Sequence, residues 1–152
     1  MPGESKNANK ISNNILCKLW EVANARKLDI YTHEVRLMVQ KGKIYRYPDL
    51  VIAPEADDTD THAITQPVII VEVLSDGTAA VDRGEKLKQY RKIDTLQHYL
   101  IIAQDEKAID MYSRDNKRWI LESFDEEVNI IPLKALGCDI AIDAIYQKVK
   151  FS

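Results

Sequence analysis

The chain is poor in the residues that staple small folds together. Only two of its 152 residues are cysteine, Cys17 and Cys138, with no C-x-x-C pair and no neighbouring histidine at zinc-finger spacing. A disulfide framework and a structural zinc site are thereby excluded, and the two cysteines read as reduced, packed thiols. Glycine and proline number five each, and no repeat, low-complexity tract or Gly/Ser linker divides the sequence, so it reads as one domain over residues 1–152. At this length roughly 69% of the chain's surface can be buried on folding, a core that needs no staple. Apolar runs such as Val68–Val71 fall far short of a membrane span and the first ten residues are polar, so the expectation is a cytoplasmic protein with no membrane partner. A basic excess is also missing. Lys and Arg total 21 against 24 Asp and Glu, which excludes nonspecific coating of nucleic acid. It does not exclude a nuclease, which gathers carboxylates around metal ions and needs only a local basic strip.

Ile11, Ile15, Leu19, Val22 and Ala23 recur at helical spacing, predicting an amphipathic helix over about 9–26. Leu28–Val39 alternates, Lys41-Gly42 turns the chain, and Ile44–Ala53 gives a second strand interrupted by Pro48. Pro67–Ser75 is apolar on both faces apart from one residue, the pattern of a central strand. A helix over Asp82 to about Ile93 and a buried strand over His98–Ala103 complete a crossover between parallel strands. Strands near Ala108–Ser113 and Arg118–Phe124 form a hairpin around Asp115-Asn116, and the tail Asp143–Val149 reads as a short helix after a brief extended piece. The order α-β-β-β-α-β, with a C-terminal β-hairpin extension, describes an α/β or α+β domain whose mixed sheet is flanked by helices.

Several familiar motifs fail. Pro54–Gln66, with Glu55, Asp57, Asp58 and Asp60, reads as a solvated loop rather than a calcium loop, because counting from Asp58 puts Ala63 and Ile69 where an EF-hand needs Gly and Glu. Val73 spoils a nucleophile elbow at Ser75, and Glu85 after Gly84 spoils a phosphate-binding loop. His33, His62 and His98 form no pair at ligand spacing, which leaves them packed or solvated.

Glu72 is the polar residue inside VIIVEVL. An ionised carboxylate there must be paired, neutral or bound to a cation, because an isolated buried charge costs several kcal/mol or more. At about 100° per residue from Asp82, Lys86 falls inside the stripe set by Leu87, Tyr90 and Ile93, so its ammonium is aimed inward, whereas Lys88 and Lys92 fall on the opposite side. Lys86 either neutralises Glu72, lies flat over apolar surface, or serves chemistry. Asp49 follows Pro48 in the hairpin that leads to the Glu72 strand. Carboxylates from two neighbouring strands plus an inward lysine form the set needed for metal-assisted phosphodiester hydrolysis, although Pro-Asp is also common turn chemistry.

Pro48-Asp49, then Glu72-Val73-Leu74-Ser75, then Asp82-Arg83-Gly84-Glu85-Lys86 with Tyr90, then HYLIIAQDEKAIDMYSRD, together resemble the Uma-type family of restriction-endonuclease-like proteins within the PD-(D/E)XK nuclease superfamily. The resemblance covers most of the chain. It implies a restriction-endonuclease-like core, with Asp49 as the PD aspartate and Glu72 as the acidic residue of the (D/E)XK element. Leu74 stands where that element usually has lysine, so the resemblance implies a migrated lysine from the following helix, and Lys86 matches it. Glu34 fits a further acidic position, or is a surface strand carboxylate beside Arg36. Family members commonly begin with an additional β-hairpin and carry a histidine before the first helix, and ESKNANK has no histidine.

The expectation is therefore a DNA endonuclease. Mg²⁺ or Mn²⁺ would be held by Asp49, Glu72 and the Val73 carbonyl, Lys86 would be the water-orienting base or a charge stabiliser, and Arg83, Lys88, Arg91 and Lys92 would meet phosphates. A homodimer suits cutting of a duplex. Alternatives are a catalytically silent module that binds nucleic acid or a protein partner, and an enzyme acting on RNA.

Overall fold

The computed structural model describes residues 4–33, 35–55, 60–75, 81 and 83–152. Helix α1, Lys6–Ala25, begins at Ser5, whose Oγ accepts the Ala8 N–H at 3.0 Å, a side-chain cap that satisfies one of the orphan donors of the first turn. Its apolar stripe of Ile11, Ile15, Leu19 and Ala23 is buried against the sheet, as the helical spacing requires.

The two long strands expected next are each broken in two. β1 (Leu28–Thr32) and β2 (Arg36–Gln40) are separated at His33, which sits at a φ of 50° in the left-handed region. β3 (Ile44–Arg46) and β4 (Leu50–Pro54) are separated at Tyr47-Pro48, where proline offers no N–H to a ladder. The hairpin is thus divided between two sheets. Its base, β1 with β4, joins the main sheet, whereas its tip, β2 with β3 around Gly42 at a φ of 70°, forms a small sheet of its own. That sheet gains a third strand, β5 (Ala63–Ile64), parallel to β2 and drawn from the stretch expected as loop. Asp57, Asp58 and Asp82 lie outside the described residues.

The main sheet contains β6 (Ile69–Val73), β7 (His98–Ile102), β8 (Ile109–Asp115) and β9 (Arg118–Phe124) in the order β1-β4-β6-β7-β8-β9. Only β6 and β7 are parallel among these neighbours, and α2 (Glu85–Tyr90) lies between them in the chain. All five residues of β6 and all five of β7 are buried, so the doubly apolar strands are the centre. One face packs Ile69, Val71, Leu100 and Ile102 against α1 and the C-terminal elements. The other packs Val51, Ile70, Tyr99 and Ile101 against Tyr90 of α2 and Leu37 of β2. This is the expected mixed sheet flanked by helices.

The tail differs from expectation. β10 (Ile130–Leu133) and β11 (Cys138–Ala141) form a two-stranded ribbon around a 3-10 turn, Lys134–Leu136, and α3 covers only Ile142–Ile145. Tyr146 fastens it, donating from its hydroxyl to the Ala103 carbonyl at 2.7 Å and accepting the Ala108 N–H at 3.3 Å. Cys138 is partly buried as expected, but Cys17 is exposed, because it stands off the α1 stripe. No described helix is long and apolar enough to cross a membrane.

Candidate active site

Alternation along β6 sends Ile69, Val71 and Val73 to the α1 face and Ile70 and Glu72 to the α2 face. Glu72 is 4% exposed at the C-terminal end of a central strand. Its charge is met at once: Lys86 Nζ donates to Oε2 at 2.6 Å, and the Tyr90 hydroxyl donates to Oε1 at 3.5 Å, the long end of the range. Lys86 and Tyr90 are four apart on α2, so both lie on one helix face and reach one carboxylate. The lysine side chain is 15% exposed, its amine brought inward as the helical wheel requires.

Asp49 reaches the same edge. β4 and β6 pair Leu50 with Val71, Val51 with Ile70 and Ile52 with Ile69. One further step of that register sets Asp49 opposite Glu72, on the same face, where directly opposed residues have Cβ atoms about 5 Å apart. Asp49 Oδ2 accepts the Val73 N–H at 2.6 Å, so the aspartate caps the end of the neighbouring strand. In an antiparallel ladder a residue's N–H and C=O leave the strand on the same side, which turns the Val73 carbonyl toward Asp49 as well. Pro48 positions the aspartate by ending the pairing of the small sheet immediately before it.

Three residues outside the expected set hold this arrangement. Arg46 of β3 donates through Nε to Gln89 Oε1 at 3.0 Å and pairs with Glu85 at 3.5 Å, tying α2 to the small sheet. Gln104, beyond β7, donates to the Leu74 carbonyl at 2.6 Å and accepts from the Ser5 hydroxyl. The start of α1 is thereby linked to the end of the strand that carries Glu72. Tyr90 was visible in the sequence as a member of the Lys86 stripe. Arg46 and Gln104 gave no such sign, because their partners are 43 and 30 positions away.

The remaining expected residues are distributed. Arg83 forms an ion pair with Asp110 of β8, and Asp110 lies in the same cross-sheet row as Glu72, through Ile101. Lys88 of α2 and Arg91 and Lys92 of the turn after it are exposed and line a separate groove. Glu34 lies outside the described residues. Among the described residues no three His, Cys, Asp or Glu side chains gather as a metal cluster. The hard oxygens of Asp49, Glu72 and Val73 still suit Mg²⁺ or Mn²⁺, since Mg²⁺ is commonly held by one or two carboxylates with water completing its shell.

Comparison with known proteins bears on the fold and the family. Two uncharacterized proteins of Synechocystis sp. are similar. One, slr1290, is 30% identical over 99% of this chain and 80% of its own length, and the other, sll1609, is 35% identical over 78% of this chain and 70% of its own. A crystal structure from Anabaena variabilis, titled as "a putative nuclease belonging to DUF820", superposes with a TM-score of 0.78 at 16% identity, covering 98% of this chain and 85% of that one, and shares the fold. The family described as "Uma2: Putative restriction endonuclease" matches residues 1–144. With its motifs set on this fold and the match covering nearly the whole sequence, the chain belongs to the Uma2 family.

Proposed function

We propose that the protein is a metal-dependent endonuclease that hydrolyses phosphodiester bonds in DNA, with Asp49, Glu72 and Lys86 as its working residues. The observation that carries this reading is the meeting of two carboxylates from adjacent strands with a lysine Nζ 2.6 Å from one of them. Mg²⁺ or Mn²⁺ would be held by Asp49, Glu72 and the Val73 carbonyl. When bound, the cation supplies charge that polarises the phosphoryl group and acidifies water. Glu72 fixes the lysine through Oε2, while its other oxygen meets the Tyr90 hydroxyl at 3.5 Å. Lys86 donates to a carboxylate, and an ammonium has no lone pair with which to take a proton. Its role in this state is to orient the attacking water and to stabilise charge developing on the phosphate, rather than to act as base. The test is plasmid cleavage with Mg²⁺ or Mn²⁺. Cleavage by the parent, lost in Glu72→Gln, supports the reading, and an absence of product from the parent at any concentration of either metal would sink it.

The same 2.6 Å pair favours one competing reading, a catalytically silent module in which Lys86 only neutralises Glu72. A thermal melt separates the two. A metal site at about 100 times its Kd adds roughly 2.7 kcal/mol, or roughly 5–10 °C for a domain of this size, in the parent but not in Glu72→Gln. The silent module gives Glu72→Gln a loss of about 3–5 kcal/mol from the stranded lysine, and metal leaves both proteins unmoved.

A further inference from the structure

Lys88, Arg91 and Lys92, from the exposed side of α2 and the turn after it, face Arg114, Lys117 and Trp119 of the β8–β9 hairpin across a groove of about 300 Å³. Five cations and no carboxylate line it, in a chain whose net charge is -3. Among the described residues none of Lys88, Arg91, Lys92 or Lys117 has an ion-pair partner, whereas Asp115 beside them is occupied by Arg118 at 3.1 Å. Arg114 is fixed in place. It donates to the Ile93 and Leu96 carbonyls, each at 2.8 Å, and its guanidinium lies 4.6 Å from the centre of the Trp119 ring. A half-buried indole braced by a guanidinium among four exposed lysine and arginine heads offers both charge and a stacking surface. A simple anion needs only the first, whereas a nucleic-acid strand uses both.

We infer that this groove is a second contact site for the nucleic-acid substrate, holding backbone phosphates and a base or sugar away from the bond that is cut. The inference rests on the nuclease reading for its choice of ligand. The registers set the distance. Asp110 shares the cross-sheet row of Glu72, and Arg114 lies four residues further along β8, opposite Trp119. Four residues of strand and two strand spacings amount to about 16 Å. At about 3.4 Å of rise per nucleotide this is roughly five steps along a strand. The groove therefore serves grip, not bond cleavage.

The test reads binding alone, in a chelator, so it is independent of catalysis. Binding of a labelled 20-base-pair duplex is measured against salt for the parent, for Lys92→Ala/Lys117→Ala, and for Lys6→Ala/Lys18→Ala on α1 as control. The groove variant is expected to lose about two from the slope of log affinity against log salt, close to 0.9 for each phosphate contact removed, while the control keeps the parental slope. Trp20→Phe leaves Trp119 as the sole tryptophan, and its emission is expected to change on adding DNA and not on adding inorganic polyphosphate. No binding by the parent, an unchanged slope in the groove variant, or equal displacement by polyphosphate with a silent Trp119 would each overturn the inference. The salt effect intact in chelator, together with no cleavage by the parent in a separate assay with Mg²⁺ or Mn²⁺, would count against the nuclease reading only.

Discussion

Lys86 and Lys88 stand two residues apart on one helix and have opposite fates. The first is drawn onto a buried carboxylate and the second is left in solvent. If Lys86 supports the chemistry, Lys86→Ala should lower turnover by about 10²-fold or more with little loss of DNA affinity, whereas Lys88→Ala should weaken binding and spare turnover. Equal small losses from both, measured by kcat and by Kd, would reduce Lys86 to a neutraliser. His98 offers a contrast, a buried polar residue on the other face with a purely structural place. Its Nε2 accepts the Ala135 N–H at 3.1 Å, so Nδ1 carries the proton and donates to Ser113 Oγ at 2.8 Å. In that tautomer it cannot take a proton from Ser113, which removes a serine–histidine nucleophile from consideration. Burial, with a smaller contribution from Lys134, pulls its pKa down from 6.5 to about 4. Between those values the unfolded chain binds the proton and the folded one does not, so stability rises with pH across the window. The contribution is complete above about 6.5 and is lost as pH falls toward 4, on the order of 3 kcal/mol in all. Melts of the parent and His98→Gln between pH 7 and 4 should show the steeper decline in the parent.

At the scale of elements, the site depends on ends. β6 ends at Val73, and the capping of that end passes through Asp49 on one side and through Leu74, Gln104 and Ser5 on the other. Ser5→Ala removes both the α1 cap and the hold on Gln104. It should cost about 1 kcal/mol of stability and lower activity besides, although Ser5 touches no residue of the proposed chemistry. Restoration of both by Ser5→Thr, which keeps the hydroxyl, would distinguish this from a general loss. Much of this organisation was legible in advance. The α1 stripe, the doubly buried β6 and β7, and the inward placement of Lys86 all follow from periodicity, which is local. The division of one hairpin between two sheets was not legible, because alternation at Tyr31, Val35 and Val39 continues across the break and only the backbone at His33 reveals it. Nor was β5, two residues long, whose pairing with β2 spans 27 positions. Pairings such as Arg46 with Gln89 are fixed by how sheets stack, and spacing along the chain carries no record of them.

The whole molecule places the site on one face of a six-stranded sheet and leaves the other face to α1 and the C-terminal ribbon, which give stability. The working face combines unlike supports. Glu72 belongs to a strand paired on both sides and buried along its whole length. Lys86 belongs to a helix of six residues, well below the roughly 12–15 at which a helix holds itself in water. Amide hydrogen exchange should expose the difference. Protons of Ile70 and Val71 should exchange only with global opening, and those of Lys88 and Gln89 at least about 100-fold faster through local opening. Similar protection for both segments would show that α2 and the sheet open as one cooperative unit. The six-residue helix otherwise makes the lysine the last component to arrive during folding and the first to leave under stress, so that the protein can lose its charge pair, and with it the site, while every strand of the sheet remains in register.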